Sequence, residues 1–394
     1  MLNFGFIGIG QGGCNIVNAF AKDFPCLAIN TAETDLAELD NIPPHLRVLT
    51  KVTEGGAGKN IRLGELAIIR YRDQIREKIQ LTMERADLIW VVAGLGGGTG
   101  SLGIIQLITL LAAMGKKHGA IITLPTADEG TVEKVNALIA AKQLYDLQNL
   151  SKNFRSMIIV DNDKLKQEIL SAGNLSYEKF YDEANSLIYK DFINLYNYSK
   201  MSSITAFDTE DYKGMFYEKG CLIFSEANIE FSENETALAS AVTEMWRNTV
   251  FECGDIDRAT AVALIIERPK SFDKDGQQIN RLFEEIKKRV SSGRFCRGVY
   301  HKDGLKDLLG AKPIKVFTLL AGLPFPEQKF SELKAQVDRE MTDIKAKRQL
   351  QELAVDLDPL LDFVNESNHD YIVEDLDFSI FKPKEPALSW SFPR

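Results

Sequence analysis

The chain has 394 residues, 45% hydrophobic and 26% charged, which is material for two or three packed domains at about 150 residues each. A formal net charge of −9 argues against direct nucleic-acid binding, which takes a basic excess, and against electrostatic adhesion to an anionic membrane. Five scattered cysteines, four dispersed histidines and no CxxC pair argue against a disulfide framework or a metal site. With a start lacking signal-peptide character and no apolar run of roughly 20 residues, they predict a cytoplasmic protein.

The first strand-like run, FGFIG (4–8), leads into GIGQGGCN, where Gly8, Gly10 and Gly13 fit G-x-G-x-x-G between a strand and a helix. Glycine permits a tight turn and a close phosphate, and a helix start offers free N–H groups and about half a positive charge. By itself this loop leaves an NAD-dependent oxidoreductase open. The second strand, CLAIN (26–30), ends at Asn30 and Thr31, where a dinucleotide site would carry a ribose-binding acid, with Glu33 and Asp35 nearby. RVL (47–49) follows, then GGAGKN (55–60), which has Gly58-Lys59 but not the spacing or hydroxyl of a Walker loop. LIWVVAG (88–94) runs into a second glycine loop, GGGTGS (96–101). Two such loops on neighbouring strand ends can enclose one polyphosphate, with amides and the Thr99 and Ser101 hydroxyls donating to its oxygens. AIITLP (120–125) and SMIIVDN (156–162) are further strands, and VEKVNALIAAKQLYDL (132–147) has helical spacing. Apolar strands separated by helices predict a mostly parallel sheet covered on both faces, with ligands beyond its carboxyl ends.

A long helix is predicted over 177–199, and CLIFSEA (221–227), ATAVALIIE (259–267) and IKVFTLLAG (314–322) suggest a second, smaller sheet. A charged helix over 330–355 carries the stripe Phe330, Leu333, Val337, Met341 and Ile344, which suits packing on its own domain or on another subunit. The proline-containing end is expected to be a mobile tail. The expected units are 1–175, 176–200, 201–328 and 329–394.

GGGTGS resembles the signature of the tubulin/FtsZ superfamily of GTPases, and GIGQGGCN resembles its first nucleotide loop. AINTAETDL (28–36) is similar to the second loop and GGAGKNIRLGE (55–65) to the third, which contacts the terminal phosphate. LPTADEG (124–130) stands at the ribose loop, and IIVDNDKL (158–165) resembles the segment whose asparagine reads guanine. The resemblance spans most of residues 1–330. It implies an α/β fold with a doubly wound, mostly parallel GTPase sheet, a long central helix, a smaller C-terminal α+β domain, and a final helix and tail. It also implies bound GTP or GDP with Mg²⁺. The first loop would contribute Gly10, Gln11, Gly12, Gly13, Cys14 and Asn15; the second, Asn30 and Thr31. The third would contribute Gly56, Ala57, Gly58, Lys59 and Asn60, and the signature Gly96, Gly97, Gly98, Thr99, Gly100 and Ser101. Glu129 would meet the ribose; Asn162 and Asn185 would bond the base and Tyr181 would stack on it.

TAFDTEDYKGMFYEKG (205–220) resembles the family's loop that reaches the nucleotide of the next subunit, placing catalytic acids at Asp208 and Asp211. Carboxylates there would position and polarise a water, and supplying them in trans would make hydrolysis depend on assembly. Ala206 stands where division-type members carry asparagine. With IKVFTLLAGLPFPEQ (314–328) and the charged helix after it, this resembles the TubZ branch of plasmid and phage segregation proteins. That branch implies a head-to-tail filament of this chain with itself and a TubR-like centromere-binding adaptor on the tail (366–394). A division or phage-positioning FtsZ-like protein and a non-hydrolysing filament are the alternatives.

Overall fold

The computed structural model describes residues 2–171, 177–198, 207–230, 234–268, 277–290, 293–301 and 313–352. In chain order the strands begin with β1 (Phe4–Ile9), β2 (Cys26–Asn30), β3 (Arg47–Leu49), β4 (Leu88–Gly94), β5 (His118–Leu124) and β6 (Phe154–Asp161). They continue with β7 (Gly220–Glu230), β8 (Phe251–Glu252), β9 (Ala261–Arg268), β10 (Arg294–His301) and β11 (Pro313–Leu323). The helices begin with α1 (Gly10–Phe20), α2 (Glu33–Ala37), α3 (Ile61–Arg70), α4 (Arg72–Met83), α5 (Gly98–Ala113) and α6 (Thr131–Leu150). After them come α7 (Asn162–Ser171), α8 (Tyr177–Tyr198), α9 (Thr209–Phe216), α10 (Glu235–Met245), α11 (Gln277–Arg289) and α12 (Glu327–Glu352).

The first six strands lie in the order β3-β2-β1-β4-β5-β6, all parallel. β1 is buried along its whole length and β4 up to Gly94, as continuous apolar runs require when helices cover both faces. The direction of strand succession reverses between β1 and β4, so the loops leaving their carboxyl ends part there and open a crevice.

The strands expected to form a separate sheet instead continue this one. β6 pairs with β7 through Ser156↔Gly220 and Met157↔Cys221, and the order runs on through β11 and β9 to β10. The free edge of β6 is thus paired rather than left open. β11 is antiparallel to both neighbours, while β10 lies parallel to β9. The helix expected over 177–199 is α8. Its Phe192, 1% exposed, packs edge-on against Phe4 at 5.2 Å and Phe6 at 5.4 Å, and lies 5.9 Å from Phe216 of α9. One aromatic cluster therefore seats α8 and α9 on the strand that carries the first glycine loop.

Asp191 of α8 titrates at about 7, raised from 3.8 first by burial and then by Glu168 and Glu226, with Lys190 and Lys315 opposing. Because the folded value lies above the unfolded one, stability falls as pH rises from about 4 to about 7 and is flat above. Asp191→Asn is expected to raise unfolding free energy by about 1–3 kcal/mol at pH 8 and by almost nothing at pH 4. Thermal melts at the two pH values check this; equal gains at both would refute it.

Candidate functional site

A cavity of about 770 Å³ opens at the reversal between β1 and β4. The β1–α1 turn lines it with Gly10, Gln11, Gly12 and Asn15, and the end of β2 with Asn30 and Thr31. Gly56, Ala57 and Gly58 close one side, and Gly96 to Gly100, including Gly97, Gly98 and Thr99, form the floor. Glu129 and Asn162 complete the predicted residues that line it.

Of the helices that begin at this cavity, α1 and α5 carry no side-chain cap, nor does the short α2, whereas α7 is capped. Beside them α3 is capped, Asn60 accepting from Arg62 N and Leu63 N, while α4 and α6 start without a side-chain cap as well. The bare first turns of α1 and α5 leave N–H donors for something outside the chain, and each helix start contributes about half a positive charge. The two loops touch back to back. Gly10 has φ +69°, and a Cβ there would sit 2.9 Å from Gly100 N. Thr31 joins the loop after β2 to the next two: its Oγ1 lies 2.7 Å from Thr99 Oγ1 and accepts from Ala57 N at 3.0 Å. Gly98 N donates to Gly58 O at 2.9 Å. Main chain held this way can present several amides to an anion without losing side-chain entropy.

The carboxylates of the lining are already engaged. Asp35 accepts from Asn30 Nδ2 at 2.7 Å, and Glu129 from Thr126 N at 2.9 Å. Asn162 opens α7, whose first turn is capped by the neighbouring Asp161, accepting from Asp163 N at 2.9 Å.

Several expected contacts lie outside the lining. A Cβ on Gly13 would fall 2.1 Å from Val92 O, so this glycine serves the packing of α1 on β4. Cys14 donates to Ile29 O at 3.4 Å, and burial pushes its thiol up to about 12, far from thiolate chemistry. Lys59 is ion-paired with Glu133, and Asn60 is occupied by its capping bonds. Ser101 corrects the hydroxyl reading: fully buried, its Oγ lies 2.5 Å from both Leu95 O and Gly97 O and braces the loop rather than facing the cavity. Asn185 is half-buried on α8 and does not line the cavity. The Tyr181 side chain, Ala206 and the tail 366–394 lie outside the described residues. Sequence reasoning did not assign Thr34, Thr123 or Pro125 to the site, yet all three line it. Their signal was positional only, at the ends of β2 and β5 beside the reversal.

Asp208 and Asp211 do not line their own chain's cavity. Asp208 caps α9, its Oδ1 accepting from Glu210 N at 2.9 Å and Asp211 N at 3.0 Å. Asp211 accepts in return from Asp208 N at 3.4 Å and from Cys296 Sγ at 3.3 Å. This reciprocal box fixes two exposed or half-exposed acids at a helix start. Among the described residues no group of three or more His, Cys, Asp or Glu forms a metal site, and no helix is long and apolar enough to cross a membrane.

The family description "Tubulin/FtsZ family, GTPase domain" matches residues 3–169. The tubulin-like protein TubZ of Bacillus cereus is 26% identical over 250 residues, covering 59% of this chain and 56% of that protein, so the match spans about half the length of that relative. The tubulin-like protein CetZ of Pyrococcus furiosus is 27% identical over 336 residues, covering 80% of this chain and 84% of that protein. In shape, the chain is similar to a GTPγS-form protofilament structure of Bacillus thuringiensis serovar israelensis TubZ, with TM-score 0.73 at 19% identity, covering 90% of this chain and 95% of that one. Over residues 3–169, the length that forms the parallel half of the sheet and the cavity, this chain carries a GTPase domain of the tubulin/FtsZ family.

Proposed function

We propose that the chain binds GTP in this cavity, assembles head to tail with copies of itself, and hydrolyses GTP with acids supplied by the next subunit. The observation that carries the reading is an incomplete site: two uncapped helix starts suit a polyphosphate, while the lining carboxylates are tied to Asn30 and Thr126. The acids fit for hydrolysis, Asp208 and Asp211, stand instead on α9. A neighbour offering α9 to the cavity would bring a carboxylate to the γ-phosphate. Asn162 and Tyr181 would read guanine, and Glu129 the ribose. Mg²⁺ would accompany the nucleotide, held chiefly by its phosphate oxygens and water. Its chemistry would be to neutralise phosphate charge.

The TubZ likeness favours a cytoplasmic segregation filament that engages DNA through a TubR-like adaptor on the tail, in keeping with the acidic chain. CetZ and division FtsZ proteins match as well, and a division or positioning role is the second reading.

Phosphate release per subunit is expected to rise steeply above a threshold protein concentration, together with pelletable filaments visible by electron microscopy. Turnover that is linear in protein concentration would remove the shared site.

A further inference from the structure

α12 is more than the charged outer helix its composition suggests. Phe330, Leu333 and Val337 of the predicted stripe are buried and Met341 is partly buried against the chain's own core, so the stripe's first turns pack within the subunit. Around that seam, α12 bonds at three points to segments adjoining Leu124, Pro125, Glu129 and Asn162 of the cavity lining. Lys329 Nζ bonds Asp161 Oδ2 at 2.6 Å, on the residue that caps α7 and precedes Asn162. Gln336 Nε2 donates to Ala127 O, in the loop carrying Glu129, at 3.1 Å. Glu340 accepts from Lys134 Nζ at 2.6 Å and Thr131 Oγ1 at 2.7 Å.

Lys134 makes the contact costly to break. Only 1% exposed, its ammonium donates to Ala127 O at 2.8 Å and to Glu340. A buried cation deprived of its carboxylate is strongly unfavourable, so lifting α12 would force the 124–130 loop to rearrange. A smaller cavity of about 180 Å³ lies between α12 and this loop, and Leu124 and Pro125 line both it and the main cavity. Two shared residues therefore connect the face of α12 with the main cavity.

We propose that Lys329, Gln336 and Glu340 are positioning residues of the nucleotide site, and that α12 is a strap whose docking sets nucleotide affinity. The proposal rests on the nucleotide reading above. Because coupling is reciprocal, bound nucleotide must also tighten α12. A partner that pulls on α12 would therefore loosen the nucleotide without touching it.

The test is titration of the full chain with fluorescent GDP below the assembly concentration. Glu340→Ala is expected to weaken affinity about tenfold, mid-range for coupling between sites, and Gln336→Ala less, in the same direction. Glu340→Gln, which keeps an acceptor for Thr131, is expected to recover part of the loss. Lys334→Ala, which removes only the pair with Asp338 on the same helix, is expected to change nothing. Hydrogen exchange at 327–347 is expected to slow with saturating GDP, a readout that a purely structural role would not move. If Glu340→Ala does not fold, Gln336→Ala and the exchange measurement decide. Wild type that fails to bind GDP overturns both readings. Wild type that binds, with equal affinities for the variants and unchanged exchange, overturns the strap alone.

Discussion

Asp208→Asn is expected to lower GTP turnover by about 10²–10⁴-fold, the usual worth of a positioned acid–base group, while GDP affinity and the thermal midpoint stay close to wild type. The structure is what selects asparagine over alanine. Asp208 is the cap of α9, accepting two backbone N–H bonds. Removing the cap would cost about 0.5–2 kcal/mol and loosen the loop, confounding chemistry with stability. Asparagine caps as well as aspartate does, so its amide oxygen keeps both bonds and only the negative charge is lost. Filaments should still form and should persist, because the nucleotide that holds them is no longer cut. Phosphate release at the wild-type rate by assembled Asp208→Asn would show that α9 does not supply the acid. Asp211 offers a graded control: it bonds Cys296 Sγ and Asp208 N, and its replacement by asparagine is expected to have a smaller effect.

Two adjacent glycines are expected to fail in opposite ways. A Cβ on Gly12 would have no neighbour nearer than 3.9 Å and would stand in the cavity wall. Gly12→Ala should therefore leave stability unchanged or raise it by up to about 1 kcal/mol through helix propensity. It should weaken GTP about tenfold or more, the loss of one or two charge-assisted bonds. A Cβ on Gly13 would lie 2.1 Å from Val92 O, which is main chain in the middle of the parallel sheet and cannot swing away. Gly13→Ala should cost about 1–3 kcal/mol or more by overpacking, seen as a lowered melting midpoint without nucleotide and a largely insoluble product. Equal thermal midpoints for the two variants would mean that α1 does not sit on β4 as described.

The parallel half of the fold was legible because its strands are unbroken apolar runs and its helices intervene regularly. β2, β3 and β4 fall on CLAIN, RVL and LIWVVAG, the residues expected. β10 was not, since RFCRGVYH has exposed arginines at 294 and 297 and shows no apolar run. It is a strand because β9 offers it eight residue pairs. α11 was legible and missed: Ile279, Leu282, Phe283 and Ile286 recur at helical spacing and are buried. The glycine signature located the cavity, but not which of its members face it. Ser101 and Thr99 are two residues apart in one motif, yet one braces the loop and the other lines the site.

Periodicity and the glycine spacing, both local properties, were enough to determine that a parallel sheet ends in loops able to hold a phosphate chain. Which strands are neighbours, and hence where the reversal opens the cavity, was decided by tertiary structure. So was the grip of α12 on Asp161, Ala127 and Lys134, which joins residues as much as 209 positions apart. Contacts of that kind depend on burial and on the pairing of buried charge, and neither exists until the chain has closed on itself.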